Sequence, residues 1–198
     1  MKIAIIGTAG REKDLPKLSV RKYYDMYNIT CSLISKFETP IELISGGAAW
    51  ADHLAVLMFI SGNADKLHLK LPAHITDGGK YEDVWINNFT SNPGRTSNYH
   101  HHNFSTKIQR DSLADILRVT KMENCTVDVG SKGFFERNSI VAKEADICIA
   151  FTFGNGAVVA DGGTFDTVKK FLKKKLPDNC SFHVDLNTMI THSPALLK

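Results

Sequence analysis

Three short stretches hold the residue types that can grip an anion. They are Gly7, Thr8, Ala9, Gly10 and Arg11; Ser45, Gly46, Gly47 and Ala48, running on through Trp50 to Asp52; and Asp161, Gly162, Gly163 and Thr164. Each follows an apolar run of strand length, and the second and third precede helical patterns. A strand that empties through glycines into a helix leaves unpaired N–H groups and a positive dipole end aimed at one spot, which suits a phosphate. The candidate catalytic groups are Asp166, Glu136 and Arg137. A carboxylate can steady an oxocarbenium-like centre, and an arginine can hold a phosphate. Each also has an ordinary reading: Arg11 as a solvated loop residue, Arg137 as a surface partner of Glu136 or Glu144, Asp52 as a residue favoured by the dipole of its helix. Trp50 fits stacking on a base or sugar, or packing in the core, the commoner role.

Elements of alternating type must position these groups. Lys2–Ile6 is an apolar strand, and Ser19 caps a helix reaching about residue 37. Residues 41–44 form a strand, 51–60 a helix and 66–72 an alternating strand. Ile147–Phe151 reads as a strand covered on both faces; Val168, Phe171 and Leu172 mark the apolar side of the helix that follows Asp161. A helix over 134–145, a short strand at 126–129 and a last strand at 181–186 complete the pattern. Residues 73–105 break it and read as an inserted lid, with the next helix predicted to start at Ser105 or Thr106 and to run to about Thr120. His100, His101 and His102 lack metal-ligand spacing, so no metal or other cofactor is expected. One or two of them, with Tyr99 and Arg95, suit contact with a ligand under the lid.

The prediction is one α/β domain over 1–198: a Rossmann-like open parallel sheet of order 3-2-1-4-5 with helices on both faces. The absence of GxGxxG spacing after the first strand sets it apart from the dinucleotide fingerprint. Ligands of such sheets sit where the strand order reverses, here between the turns at 7–11 and 161–164.

The totals exclude several classes. A chain of 198 residues with 43% hydrophobic and 23% charged residues suits one soluble domain. Net charge +3, with lysines gathered at 169–175, argues against nucleic acid as a partner. No run reaches 18 apolar residues, which argues against a membrane span. Four cysteines without paired spacing fit reduced thiols in the cytoplasm. The expected partners are a small phosphate-bearing ligand and, in a homo-oligomer, copies of the chain itself.

Four motifs in order resemble a known group. Ile5-Ile6-Gly7-Thr8-Ala9-Gly10-Arg11, Ser45-Gly46-Gly47-Ala48-Ala49-Trp50-Ala51-Asp52, Glu136-Arg137-Asn138 with Ala145-Asp146, and Gly162-Gly163-Thr164-Phe165-Asp166-Thr167-Val168 look like the SLOG superfamily. That group holds the DNA-processing protein A family, the YspA-like proteins of bacteria and phages, and the LOG phosphoribohydrolases. The resemblance covers most of the chain outside 73–125 and the tail. It implies a nucleotide or nucleotide-derived ligand, with phosphate at 162–164, base or sugar near 46–52, and Asn138 and Thr167 close by. In LOG enzymes an arginine and a glutamate act on the N-glycosidic bond, and Arg137 falls on that arginine. Here Asp161 replaces the proline of the glycine motif, two residues are missing before Thr164, Thr167 takes the glutamate's place, and Asp166 is the nearest carboxylate. Ala49-Trp50 also replaces the usual Arg-Gly. Cleavage of an N-glycosidic bond and non-catalytic sensing of a nucleotide-derived signal, such as an ADP-ribose relative or cyclic nucleotide, both remain open. Handling of single-stranded DNA ranks below them.

Overall fold

Strand β1 (Lys2–Gly7) alternates its side chains between two covered faces. Ile3 and Ile5 are buried on one side, Ala4 and Ile6 on the other. A strand apolar on both faces belongs in the middle of a sheet, and β1 lies there. The computed structural model describes residues 1–38, 40–83, 92–129 and 133–196. After β1 come α1 (Val20–Ile34), β2 (Glu42–Ser45), α2 (His53–Ile60), β3 (Lys66–Lys70), α3 (Pro93–Ile108), α4 (Ser112–Val119) and β4 (Cys125–Asp128). Then follow α5 (Phe134–Glu144), β5 (Ile147–Thr152), α6 (Gly163–Leu172), β6 (Ser181–Asp185) and β7 (Ile190–His192).

The sheet order is β4-β3-β2-β1-β5-β6-β7. The expected 3-2-1-4-5 core is the run β3-β2-β1-β5-β6, all parallel. Parallel β4 extends one edge, and antiparallel β7, formed from the tail that carried no pattern, extends the other. Helices α1 to α4 cover the face of Ile3 and Ile5, whereas α5 and α6 cover the face of Ala4 and Ile6 with Val141, Val168 and Phe171. No helix among the described residues is long and apolar enough to cross a membrane.

Local signals set several boundaries. Ser19 caps α1 by accepting the Lys22 N–H at 3.2 Å. The segment expected as a lid is different in its described part, while residues 84–91 lie outside the described ones. Asn92 accepts the Arg95 N–H at 2.9 Å and Pro93 opens α3, so this helix starts well before Ser105. The single helix expected from Ser105 to Thr120 is two, because Gln109 turns left-handed (φ 54°) and Asp111 caps α4. The buried stripe of α3 is Ser97, His101, Phe104 and Ile108. Half of it is polar, which hides its helical period from a hydrophobicity reading.

Trp50 packs, fully buried, against Phe104 (ring centroids 4.7 Å apart) and Tyr23 (6.2 Å). It also presses on Gly10, where a Cβ would lie 2.4 Å from Trp50 Nε1 and where φ is +74°. The indole therefore welds the first glycine turn to the second. Trp50→Ala is expected to lower stability by roughly 3–5 kcal/mol, read as a shifted urea midpoint.

Candidate functional site

The carboxyl ends of β1, β2 and β5 open onto one cleft. Gly7, Thr8, Ala9 and Arg11 line it from the first turn, Gly46, Ala48 and Asp52 from the second, and Gly162, Gly163, Thr164 and Thr167 from the third. Arg137 and Asn138 of α5 line it as well. The three turns thus meet where the strand order reverses between β1 and β5.

The second turn is already filled by the chain's own carboxylate. Buried Asp52 accepts the Gly46 N–H at 3.0 Å, and the amides of Ala48 and Gly7 also act on it. Arg137, also buried, donates from Nη1 to the Gly46 carbonyl at 2.9 Å. Both polar groups of the Gly46 peptide are therefore taken. A Cβ at Gly46 would lie 2.7 Å from Asp52 Oδ2 and 2.8 Å from Arg137 Cζ, so a side chain has no room there. Burial pushes the Asp52 carboxyl above the ordinary carboxylate range, opposed by the Arg137 charge and the amides. Burial likewise lowers the Arg137 guanidinium's value, opposed by Asp52. Arg137 Nε has no hydrogen-bond partner among the described residues.

Behind this turn stands a polar brace. Ser45 Oγ donates to the Asp52 carbonyl at 2.8 Å and accepts the Gly47 N–H at 3.1 Å. The Gly47 carbonyl accepts from Tyr81 OH at 2.8 Å and from His101 Nε2 at 3.0 Å. A carbonyl only accepts, so His101 carries its proton on Nε2, and Nδ1 takes the Ser112 hydroxyl at 2.8 Å. Burial pushes the His101 imidazole down to about 3.

Among the described residues the third turn has no comparable internal occupant. No side chain caps α6, and the amides of Gly163, Thr164 and Phe165 precede its first intrahelical bond, from Asp166 N to the Gly162 carbonyl at 3.1 Å. Exposed Asp161 takes the Gly162 N–H at 2.9 Å. Asn138 Nδ2 and Thr167 Oγ1 donate to the Gly163 carbonyl at 3.1 and 3.0 Å, which holds the first helical turn in place.

Several expected site residues lie elsewhere. Trp50 and Gly10 pack against each other, and Ser45 and Gly47 belong to the brace; none of the four lines the cleft. Asp166 pairs with Lys170 at 2.7 Å along α6, and Glu136 lies on the exposed side of α5, so neither carboxylate faces the cleft. Conversely, Lys13, Asp14, Thr96, Ser97, Phe134 and Thr152 line it without having been singled out. Thr8 Oγ1 donates to Asp14 Oδ2 at 2.6 Å and accepts the Gly10 N–H at 3.1 Å, shaping the first turn. Of the three histidines only His100 lines the cleft, with Nδ1 buried and without a hydrogen-bond partner among the described residues; burial, then the nearby Arg11 charge, lowers its value. A helix starting at Asn92 would have placed Thr96, Ser97 and His100 together on one side.

Fold and cleft define a Rossmann-like open α/β protein with its candidate site at the carboxyl edge of the sheet. No protein-family model matches the chain. It is 37% identical over 190 residues to the uncharacterized protein R261 of Acanthamoeba polyphaga mimivirus, spanning 93% of this chain and 98% of that protein, and it belongs to the same family. Among solved structures it is similar to the structural-genomics target TM1055, with TM-score 0.45 and 12% identity over 89% of this chain and 71% of that one. It is also similar to DNA processing protein A (DprA) from Streptococcus pneumoniae, with TM-score 0.47 and 14% identity over 92% of this chain and 49% of that one.

The brace carries a pH signature. His101 is held neutral, far below the value of about 6.5 it has when unfolded. Its depressed value contributes stability that is complete above pH ~6.5 and lost as pH falls toward 3. The urea midpoint is expected to drop between pH 6.5 and 4. His101→Gln should start lower at pH 7 and lose less on acidification.

Proposed function

We propose that the cleft binds the phosphate of a nucleotide or nucleotide-derived molecule at the amino end of α6, with the rest of the ligand reaching toward Asp52 and Arg137. The observation that carries this reading is the contrast between two glycine turns at one cleft. The turn at 46–48 is occupied by Asp52, whereas the uncapped start of α6 shares the cleft with buried Arg137, whose Nε has no partner among the described residues. Unpaired helix amides and the positive dipole end together favour an anion there. Arg11, Lys13 and His100, which line the same cleft, add positive or hydrogen-bonding groups. The SLOG resemblance of the motifs that build the cleft supports the same ligand class.

Binding without turnover is the reading favoured over glycosidic cleavage. Asp166 and Glu136, the carboxylates weighed for cleavage, lie off the cleft wall, and Asp52 is tied to amides, with the Arg137 charge opposing the effect of its burial. A sensor or sequestering protein needs the anion cradle and no positioned carboxylate.

Thr164→Asp tests the cradle directly. A carboxylate in the first turn of α6 would satisfy the open amides itself, adding roughly 0.3–1 kcal/mol to stability. The variant should melt no lower than the parent yet bind a nucleoside monophosphate at least ~10-fold more weakly by calorimetry, a loss of about 1.4 kcal/mol. Mass spectrometry of small molecules released on heat denaturation should find a phosphate-bearing compound in the parent and less of it in the variant. Equal affinity in both proteins would remove α6 from the site.

A further inference from the structure

His183 and His192 stand opposite each other on β6 and β7. They are Cα partners in the antiparallel pairing, so both side chains leave the same face of the sheet, with Cβ atoms roughly 4.5–5.5 Å apart. His183 is fully buried. Its Nδ1 and the Nε2 of His192 are both buried, and neither has a hydrogen-bond partner among the described residues. The turn between β5 and α6 folds over the pair. A Cβ at Gly154 would lie 3.1 Å from His183 Cε1, and Asn155 and Val158 bond to each other around Gly156 and Ala157. The carbonyls of Gly156 and Ala157 lie against the His183 ring without closing a hydrogen bond to Nδ1.

Two unsatisfied ring nitrogens buried on paired strands are costly, and one ion can satisfy both. We propose that His183 Nδ1 and His192 Nε2 are ligands of a divalent transition-metal ion of the zinc kind, with the Gly156 carbonyl as third ligand. Imidazole donors suit zinc, copper or nickel and not magnesium or calcium. The other nitrogen of His183 fits the same reading, since Nε2 lies 2.8 Å from Thr152 Oγ1. A metal-bound imidazole keeps its proton on the far nitrogen and gives it to such an acceptor. No three His, Cys, Asp or Glu side chains gather as a shell among the described residues, so the backbone has to complete a site of two imidazoles. The Ala157 carbonyl already takes the Ala195 N–H at 2.7 Å, which leaves Gly156 the freer oxygen. Asp185 follows two residues along on the same face of β6 and accepts the Gly156 and Asn187 amides at 3.1 and 3.0 Å. It serves as counter-charge to the buried ion and not as a ligand. The ion clips β7 and the turn before α6 onto β6, a structural role independent of the phosphate reading.

Zinc alone, titrated into the full chain after dialysis against EDTA, is the probe. The parent should bind one ion by calorimetry, and its urea midpoint should rise with zinc. His192→Ala should weaken binding at least ~10-fold and abolish that rise. His102→Ala, on the exposed side of α3, should change neither. A parent that binds no zinc, or a His192→Ala variant that binds it equally, would overturn the proposal. Should His192→Ala fail to fold, nitrogen NMR of the parent at one equivalent of zinc decides. Shifts at His183 Nδ1 and His192 Nε2 are expected, with His183 Nε2 still protonated. Shifts confined to the rings of His100, His101 and His102 would place the ion elsewhere and overturn it.

Discussion

A carboxylate buried at the carboxyl edge of a parallel sheet is the constraint around which the rest of this molecule is arranged. Asp52 is shielded from water, so it needs donors and a counter-charge from the chain itself. The amides of Gly46, Ala48 and Gly7 provide the first and Arg137 the second. Each provider pays with its own freedom: Gly46 has no room for a side chain, the turn after β2 closes back onto the start of α2, and α5 is anchored to that turn by its arginine. Removing either partner of such an assembly leaves a buried charge, a cost of roughly 3–5 kcal/mol. The pair is therefore a poor candidate for a freely moving catalytic group and a good one for a rigid wall.

The wall is reinforced from behind by elements far apart in sequence. Tyr81 and His101 converge on the single carbonyl of Gly47, and Trp50 fills the space between the first and second turns. Helix α3 supplies both a brace residue, His101, and a cleft residue one position earlier, His100. Adjacent residues on a helix point about 100° apart, so one segment can serve support and site at once. The cleft is consequently filled by the chain's own carboxylate at its Asp52 end, whereas the start of α6 carries no side-chain cap.

The strand and helix alternation, the reversal point between β1 and β5, and the meeting of three glycine turns were all readable from residue patterns, because each depends on local runs of apolar residues and glycine. What escaped was relational. Asp52 and Gly46 are six positions apart, and nothing in their identities says that one fills the other's turn. Asp166 carries the right chemistry but faces Lys170 one helical turn away, a pairing that a correct helix register would have revealed. The helix beginning at Pro93 was legible in principle, since asparagine followed by proline is a start signal. Its stripe of Ser97 and His101 among apolar residues concealed the period. Thr152 escaped because its place on the cleft wall depends on how the turn after β5 folds back to it.

The placement of β1 has a consequence for how the chain reaches this state. Its one side pairs with β2, where Ile3 stands against Leu43, but its other side pairs with β5, where Ile3 stands against Ile147. During synthesis the elements before β5 can assemble early, yet the inner strand keeps an apolar, unpaired flank until β5 (Ile147–Thr152) has emerged. Contacts of such long sequence separation slow folding. The interval in which that flank is bare, rather than the finished fold, is where self-association would start.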